Sequence, residues 1–112
     1  MSECIFCKII NKEISAKVID ETDDILVIED IAPKAPVHYL IIPKIHIKNI
    51  KDLRDTEEHN QLILNMFKMV RKLSENLKDS KDFNLISNNG PNASQIVFHM
   101  HWHFLSGKNM FC

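Results

Sequence analysis

Apolar and polar positions follow two different periods along this chain, and the period assigns each element. Residues 4–11 (CIFCKIIN) suit a short amphipathic helix. Lys17 to Asp20 and Ile25 to Glu29 read as two strands, with the polar tetrad Glu21-Thr22-Asp23-Asp24 as a hairpin turn between them. Asp30 to Pro36 carries Pro33 and Pro36 and reads as a loop. His38 to Ile42 is apolar, β-rich and closed by Pro43. Leu62, Met66, Met69, Val70, Leu73 and Leu77 then recur at intervals of 4, 3, 1, 3 and 4, which is one face of a long helix. Asp55 followed by Glu58 has the form of a capping box, Thr56 is a second cap candidate, and the polar run Lys78 to Asp82 ends the helix. Phe83 to Ser87 reads as a strand, Asn88 to Ser94 as a turn-rich loop, and Gln95 to Leu105 as the last long strand. The order β-β-β-α-β-β predicts an α+β fold, an antiparallel sheet with a helix on one face.

Composition narrows the class. A chain of 112 residues, 45% hydrophobic and 26% charged, is expected to form one globular domain over 1–112. Fourteen basic against fifteen acidic residues give a net charge of −1, which argues against nucleic-acid binding by phosphate neutralisation. No apolar run reaches the roughly 20 residues of a membrane span, and Glu3, Lys8, Lys12 and Glu13 interrupt any signal-peptide core. The cysteines number three, Cys4, Cys7 and Cys112, an odd set that suits a reducing, cytoplasmic setting. With two glycines, Gly90 and Gly107, a Gly-rich phosphate loop is excluded.

The chemistry concentrates in His99-Met100-His101-Trp102-His103-Phe104. Strict alternation predicts one strand over 97–105. Phe98, Met100, Trp102 and Phe104 would then share the core face, with Met100, Trp102 and Phe104 less exposed than the histidines on the other. Alternate Cα atoms in a strand stand roughly 6.5–7 Å apart, so the three imidazoles form a row. Each lowers its neighbours' pKa by like-charge repulsion, which suits a neutral imidazole nucleophile or base near pH 7. The plain alternative is a polar strand face of solvated histidines. His-x-His also serves as a zinc ligand pair elsewhere, so a metallohydrolase stays open on spacing alone. Cys4-x-x-Cys7 has metal-ligand or redox spacing, with two partly buried thiols as the plain alternative. His59 falls on the long helix and reads as a surface residue, and Cys112 as incidental.

These motifs resemble the histidine triad (HIT) family, whose signature of three histidines separated by apolar residues stands here as residues 99–105 (HMHWHFL). The resemblance covers nearly the whole chain. It extends over Cys4 to Ile10 with Glu13-Ile14, Asp30 to His38, Ile41 to His46, and Ser87-Asn88-Asn89-Gly90 ahead of Gln95 to His99. Ala35-Pro36-Val37-His38 and Leu105-Ser106-Gly107-Lys108 resemble the Hint branch, the nucleoside phosphoramidases. The implied fold is a five-stranded antiparallel sheet with one long helix and a short N-terminal helix, paired into a homodimer with a ten-stranded sheet.

The same resemblance implies roles. His101 would attack the α-phosphorus of a purine, AMP-type nucleotide and form a nucleotidyl-histidine that water hydrolyses. His99, His103 and His38 would orient it and stabilise charge, with His103 assisting the leaving amine. Asn88 and Gln95 would hold phosphate and Asp30 the ribose, where the residues alone suggest only a turn and a loop cap. Phe6, Ile9, Ile28, Ile31 and Leu40 would form the base pocket, though by themselves they read as core. Cys4, Cys7, His46 and His99 would hold a structural zinc, with no cofactor for the chemistry itself. Ile96 stands where many relatives carry a hydroxyl and Ser94 where glycine is common. The chain ends at Cys112, where the branch often has a longer tail. A dinucleoside polyphosphate hydrolase is the alternative within the family. A zinc-dependent hydrolase and a non-catalytic nucleotide-binding module are the alternatives outside that chemistry. Met66, Met69 and Val70 are expected to supply apolar surface to the dimer interface.

Overall fold

The computed structural model describes residues 4–107; Glu3, Lys108 and Cys112 lie outside them. Helix α1 spans Ile5–Ile10, and the Cys4 sulfur caps it by accepting from the Cys7 N–H at 3.4 Å. Strands β1 (Val18–Glu21) and β2 (Ile25–Glu29) form the expected hairpin. Its turn closes when Thr22 Oγ1 accepts from the Ile25 N–H at 3.1 Å and donates to Asp24 Oδ1 at 2.9 Å. β3 covers Val37–Pro43, α2 Glu57–Glu75, β4 Phe83–Ser87 and β5 Trp102–Ser106. The five strands make one antiparallel sheet in the order β1-β2-β3-β5-β4.

Thr56, not Asp55, caps α2: its hydroxyl accepts from the His59 N–H at 3.2 Å, while Asp55 Oδ1 accepts from Asn60 Nδ2 at 2.9 Å. The stripe Leu62, Met66, Met69, Val70 and Leu73 packs on Ile25, Val27, Ile41, Met100, Trp102 and Phe104. Met66, Met69 and Val70 therefore serve the protomer's own core, which corrects their assignment as surplus surface. The apolar side chains that α2 leaves exposed are Leu64 and Phe67.

The opposite sheet face is also covered. Phe6 of α1 closes over Leu26, Ile28, Leu40 and Ile42. Burial on both faces explains why β2 reads as a continuous apolar run rather than an alternation.

The histidine run departs from its expected form. Residues 95–101 are irregular, and β5 begins only at Trp102. The ladder stops there: Trp102 pairs Ile41 of β3 and Ser87, the last residue of β4, while the last two residues of β3, Ile42 and Pro43, pair with β2, and Pro43 has no N–H to give. Phe98 leaves the core face and is 42% exposed, with Lys48 Nζ 5.6 Å from its ring centroid. Nor are the histidines the exposed face, since His99 is 0% and His101 8% exposed, comparable to Met100 at 1%. α1 and the chain after β3 cover the side that alternation left open.

Candidate active site

His38 lies on β3 and His103 on β5, one cross-strand step apart. The diagonal brings His38 Nε2 to 3.0 Å from His103 Nδ1. His101, just before β5, packs against His103 with ring centroids 5.1 Å apart. Asp30, at the end of β2, sets Oδ2 3.4 Å from His38 Nε2 and accepts the Ala32 N–H on Oδ1 at 2.8 Å. One carboxylate and three imidazoles thus line one face of the central strands.

The hydrogen-bond partners decide where each proton sits. A carbonyl oxygen only accepts, so His101 Nδ1, 2.8 Å from the His99 carbonyl, carries the proton. His101 Nε2 is then an unprotonated lone pair. His38 Nδ1 accepts from the Lys34 backbone N–H at 3.1 Å, which puts the His38 proton on Nε2. That proton is donated to His103 Nδ1, leaving the His103 proton on Nε2.

All four rings are biased toward the neutral form. Burial is the main cause for each. It pushes His103 down to about 4, with the neighbouring His101 and His38 adding to it and Asp30 opposing. His38 is lowered, with Asp30 opposing and Lys34 reinforcing. His101 is lowered despite the His99 carbonyl and Asp30. His99 is pushed down to about 4, opposed by the Pro43 carbonyl.

His99, although part of the row by sequence, belongs to a second cluster. Its Nε2–H donates to the Pro43 carbonyl at 2.7 Å, so its Nδ1 lone pair faces inward. There it meets Cys4 Sγ at 3.4 Å, Cys7 Sγ at 3.6 Å and His46 Nδ1 at 3.1 Å, while Cys7 Sγ lies 3.3 Å from His46 Nδ1. The four donor atoms lie within 4.8 Å of one another. Zinc–sulfur and zinc–nitrogen bonds of about 2.3 and 2.0–2.1 Å give tetrahedral edges of roughly 3.3–3.8 Å, so this donor set fits the ion.

Asp30, His38 and His103 also bring three ligand atoms within 4.8 Å. The proton on His38 Nε2 disfavours ligation there, because moving it to Nδ1 would oppose it to the Lys34 N–H.

The other sequence candidates divide. Phe6, Ile9, Ile28 and Leu40 meet in one cluster, whereas Ile31 is 97% exposed beside Asp30 and stands apart from them. Asn88 donates to the Ala93 carbonyl at 3.0 Å and shapes the 88–94 loop. Gln95 is buried, and every polar position of its amide is used: Oε1 accepts from Gly90 N and Asn49 Nδ2, and Nε2 donates to the Lys48 and Val97 carbonyls. This amide is committed to folding the loop rather than open to a phosphate. Asn49, its buried partner, escaped the sequence reading because an isolated Asn outside any motif carries no pattern. Pro43 and Lys34, which set two histidine tautomers, act through backbone atoms that leave no mark on residue type. His59 accepts the Arg54 N–H at 2.9 Å and orders the turn before α2.

Residues 3–111 match the family described as "Scavenger mRNA decapping enzyme C-term binding". An uncharacterized HIT-like protein of Synechococcus elongatus is 39% identical over 98% of this chain and 96% of its own. This chain belongs to the histidine triad family. Among its HIT relatives, the purine nucleoside phosphoramidase of Escherichia coli (strain K12) is 36% identical over 95% of this chain and 88% of its own. A HIT family hydrolase from Clostridium thermocellum superposes with a TM-score of 0.90 at 41% identity, covering 100% of this chain and 96% of that one. The five-stranded antiparallel sheet with a long and a short helix is thus the HIT architecture. Among the described residues, no helix is long and apolar enough to cross a membrane.

Proposed function

We propose that this HIT protein hydrolyses purine nucleoside phosphoramidates through a nucleotidyl intermediate on His101. The observation that carries the reading is the 2.8 Å bond from His101 Nδ1–H to the His99 carbonyl, which leaves a neutral Nε2 lone pair as nucleophile. Nε2 attacks the α-phosphorus, the phosphorus–nitrogen bond breaks, and the amine leaves with a proton from His103. Bound phosphate favours the charged form of that ring. Water then gives a proton to His103 and attacks the same phosphorus, breaking the His101–phosphorus bond, freeing the nucleoside monophosphate and restoring both rings. His38 holds His103 in the required tautomer. Asp30 retains lone pairs for a ribose hydroxyl, and Phe6, Ile9, Ile28 and Leu40 offer an apolar wall to the base. The phosphoramidase name of the 36%-identical relative supports this substrate class.

Two further parts belong to the proposal. Cys4, Cys7, His46 and His99 hold a structural zinc, which supplies a tether between α1 and the histidine segment. Two copies pair through the edge strand β4, where Phe83 and Ile86 are exposed, and through Leu64 and Phe67 of α2.

Turnover of adenosine phosphoramidate, with acid-labile adduct trapping on His101, tests the chemistry. Near-normal turnover by His101→Ala would overturn it. A monomeric mass in solution at micromolar concentration would overturn the dimer.

A further inference from the structure

The nucleophile sits on backbone that no sheet ladder holds. Residues 95–101 lie outside the strands, and the Met100 N–H to Ile47 carbonyl bond at 2.6 Å is their nearest main-chain tie to the His46 segment. Besides the His103 ring on β5, two contacts reach His101. The first is the His99 carbonyl that accepts its Nδ1–H. The second is Phe6, 6% exposed, whose ring stands edge-to-face with His101 at 4.9 Å and 82° and with His99 at 5.9 Å and 77°. Both contacts lead back to the same place. His99 offers its Nδ1 to Cys4, Cys7 and His46, and Phe6 lies on α1 between the two cysteines.

We propose that the Cys4, Cys7, His46 and His99 site is a positioning device for His101, acting through the Phe6 ring and the His99 carbonyl. The proposal rests on the nucleophile and metal readings above and adds a link between them. Tethering α1 to His99 presses Phe6 against the His101 ring and fixes the carbonyl that selects its tautomer. Phe6 is therefore a positioning residue for the nucleophile before it is a wall for the base. A displaced ring would still meet the nucleotide but would present the wrong nitrogen, or the right one at the wrong angle.

The test uses the full chain, its Phe6→Leu and Cys7→Ser variants, and wild-type protein stripped by a chelator. Zinc content, kcat and KM for adenosine phosphoramidate, and the ¹⁵N shifts of the His101 ring are measured on samples whose circular dichroism is native. Phe6→Leu should keep its zinc, lose about 10–100-fold in kcat, and hold KM within about threefold. Its ¹⁵N shifts should show the single Nδ1–H tautomer replaced by a mixture. The stripped protein should show the same split and recover when zinc is returned. If Cys7→Ser does not fold, Phe6→Leu and the stripped protein still decide the matter. A Phe6→Leu enzyme with raised KM and unchanged kcat would overturn the link, as would stripped, folded protein with normal kcat and an unmixed tautomer. Wild-type protein that neither carries nor takes up zinc would overturn the metal part. Failure of the nucleophile reading is separable, because it shows as normal turnover in His101→Ala.

Discussion

Two histidine clusters lie side by side in this HIT protein, and they differ in where the protons point. In the His38–His103–Asp30 group the His38 proton lies inside, between two nitrogens and near a carboxylate. In the Cys4–Cys7–His46–His99 group the His99 proton is turned away onto the Pro43 carbonyl, and a lone pair faces two sulfurs. The first arrangement is a relay suited to holding and moving protons. The second is a set of soft donors suited to a closed zinc site. The histidines by themselves do not distinguish them, since each cluster contains two. Two backbone contacts do: the Lys34 N–H on one His38 nitrogen and the Pro43 oxygen on one His99 nitrogen.

The comparison can be broken most severely at His101, which faces the relay and which the proposal has the cysteine–histidine cluster orient. His101→Ala should lower kcat by about three orders of magnitude or more while nucleotide binding, read by calorimetry, is largely kept. Damage to the metal cluster should instead register first as stability. Chelation or Cys4→Ser should lower the thermal midpoint by roughly 10 °C or more, as loss of a tight native-state ligand does in a domain of this size. The same chelator should leave a His38→Gln variant's residual activity no more affected than wild type, if His38 holds no metal. His38→Gln itself should lose about 10–100-fold in kcat, the scale for removing a group that orients a catalytic ring, with the zinc content unchanged by elemental analysis.

The smallest expected effect is in pH dependence. His103 has a folded pKa of about 4 against an ordinary value of 6.5, and His38 and His101 are lowered in the same direction. Between about pH 6.5 and 4 the unfolded chain binds more protons at these positions than the folded one, so stability rises with pH through that window and is flat above it. Denaturant midpoints measured from pH 8 to 4 should therefore hold and then fall. A midpoint rising as pH drops below 6.5 would contradict neutral burial of the relay. Asp30, the acid facing His38, His101 and His103, opposes the shift, so Asp30→Asn should move the fall to lower stability at the same pH.

The long helix, the hairpin and the sheet's strand types were legible because each rests on a local period. Leu62, Met66, Met69, Val70 and Leu73 announce one buried face whatever they pack against. The histidine run was legible as chemistry and misread as geometry. Alternation over 97–105 describes a strand only where neighbours pair with it, and that pairing ends at Ile41 and Ser87. Cys4, Cys7, His46 and His99 were available as a group only through resemblance, since 95 positions separate Cys4 from His99 and spacing carries no information at that range.

Sequence alone determined which side chains this protein has for nucleophilic and metal chemistry, and that most of them would stand in or beside apolar strands. It determined the α+β class, because hydrophobic periods are properties of neighbouring residues. Tertiary structure decided the rest. It split the histidines between two clusters, committed Gln95 to the loop, left Ile31 outside the apolar cluster, and placed Phe6 against His101. It also chose the tautomers of His38, His99 and His101. The physical reason is that a ring nitrogen takes its state from the atom it faces, and here those atoms are main-chain groups of Lys34, Pro43 and His99, which any residue could supply and only the fold could bring there.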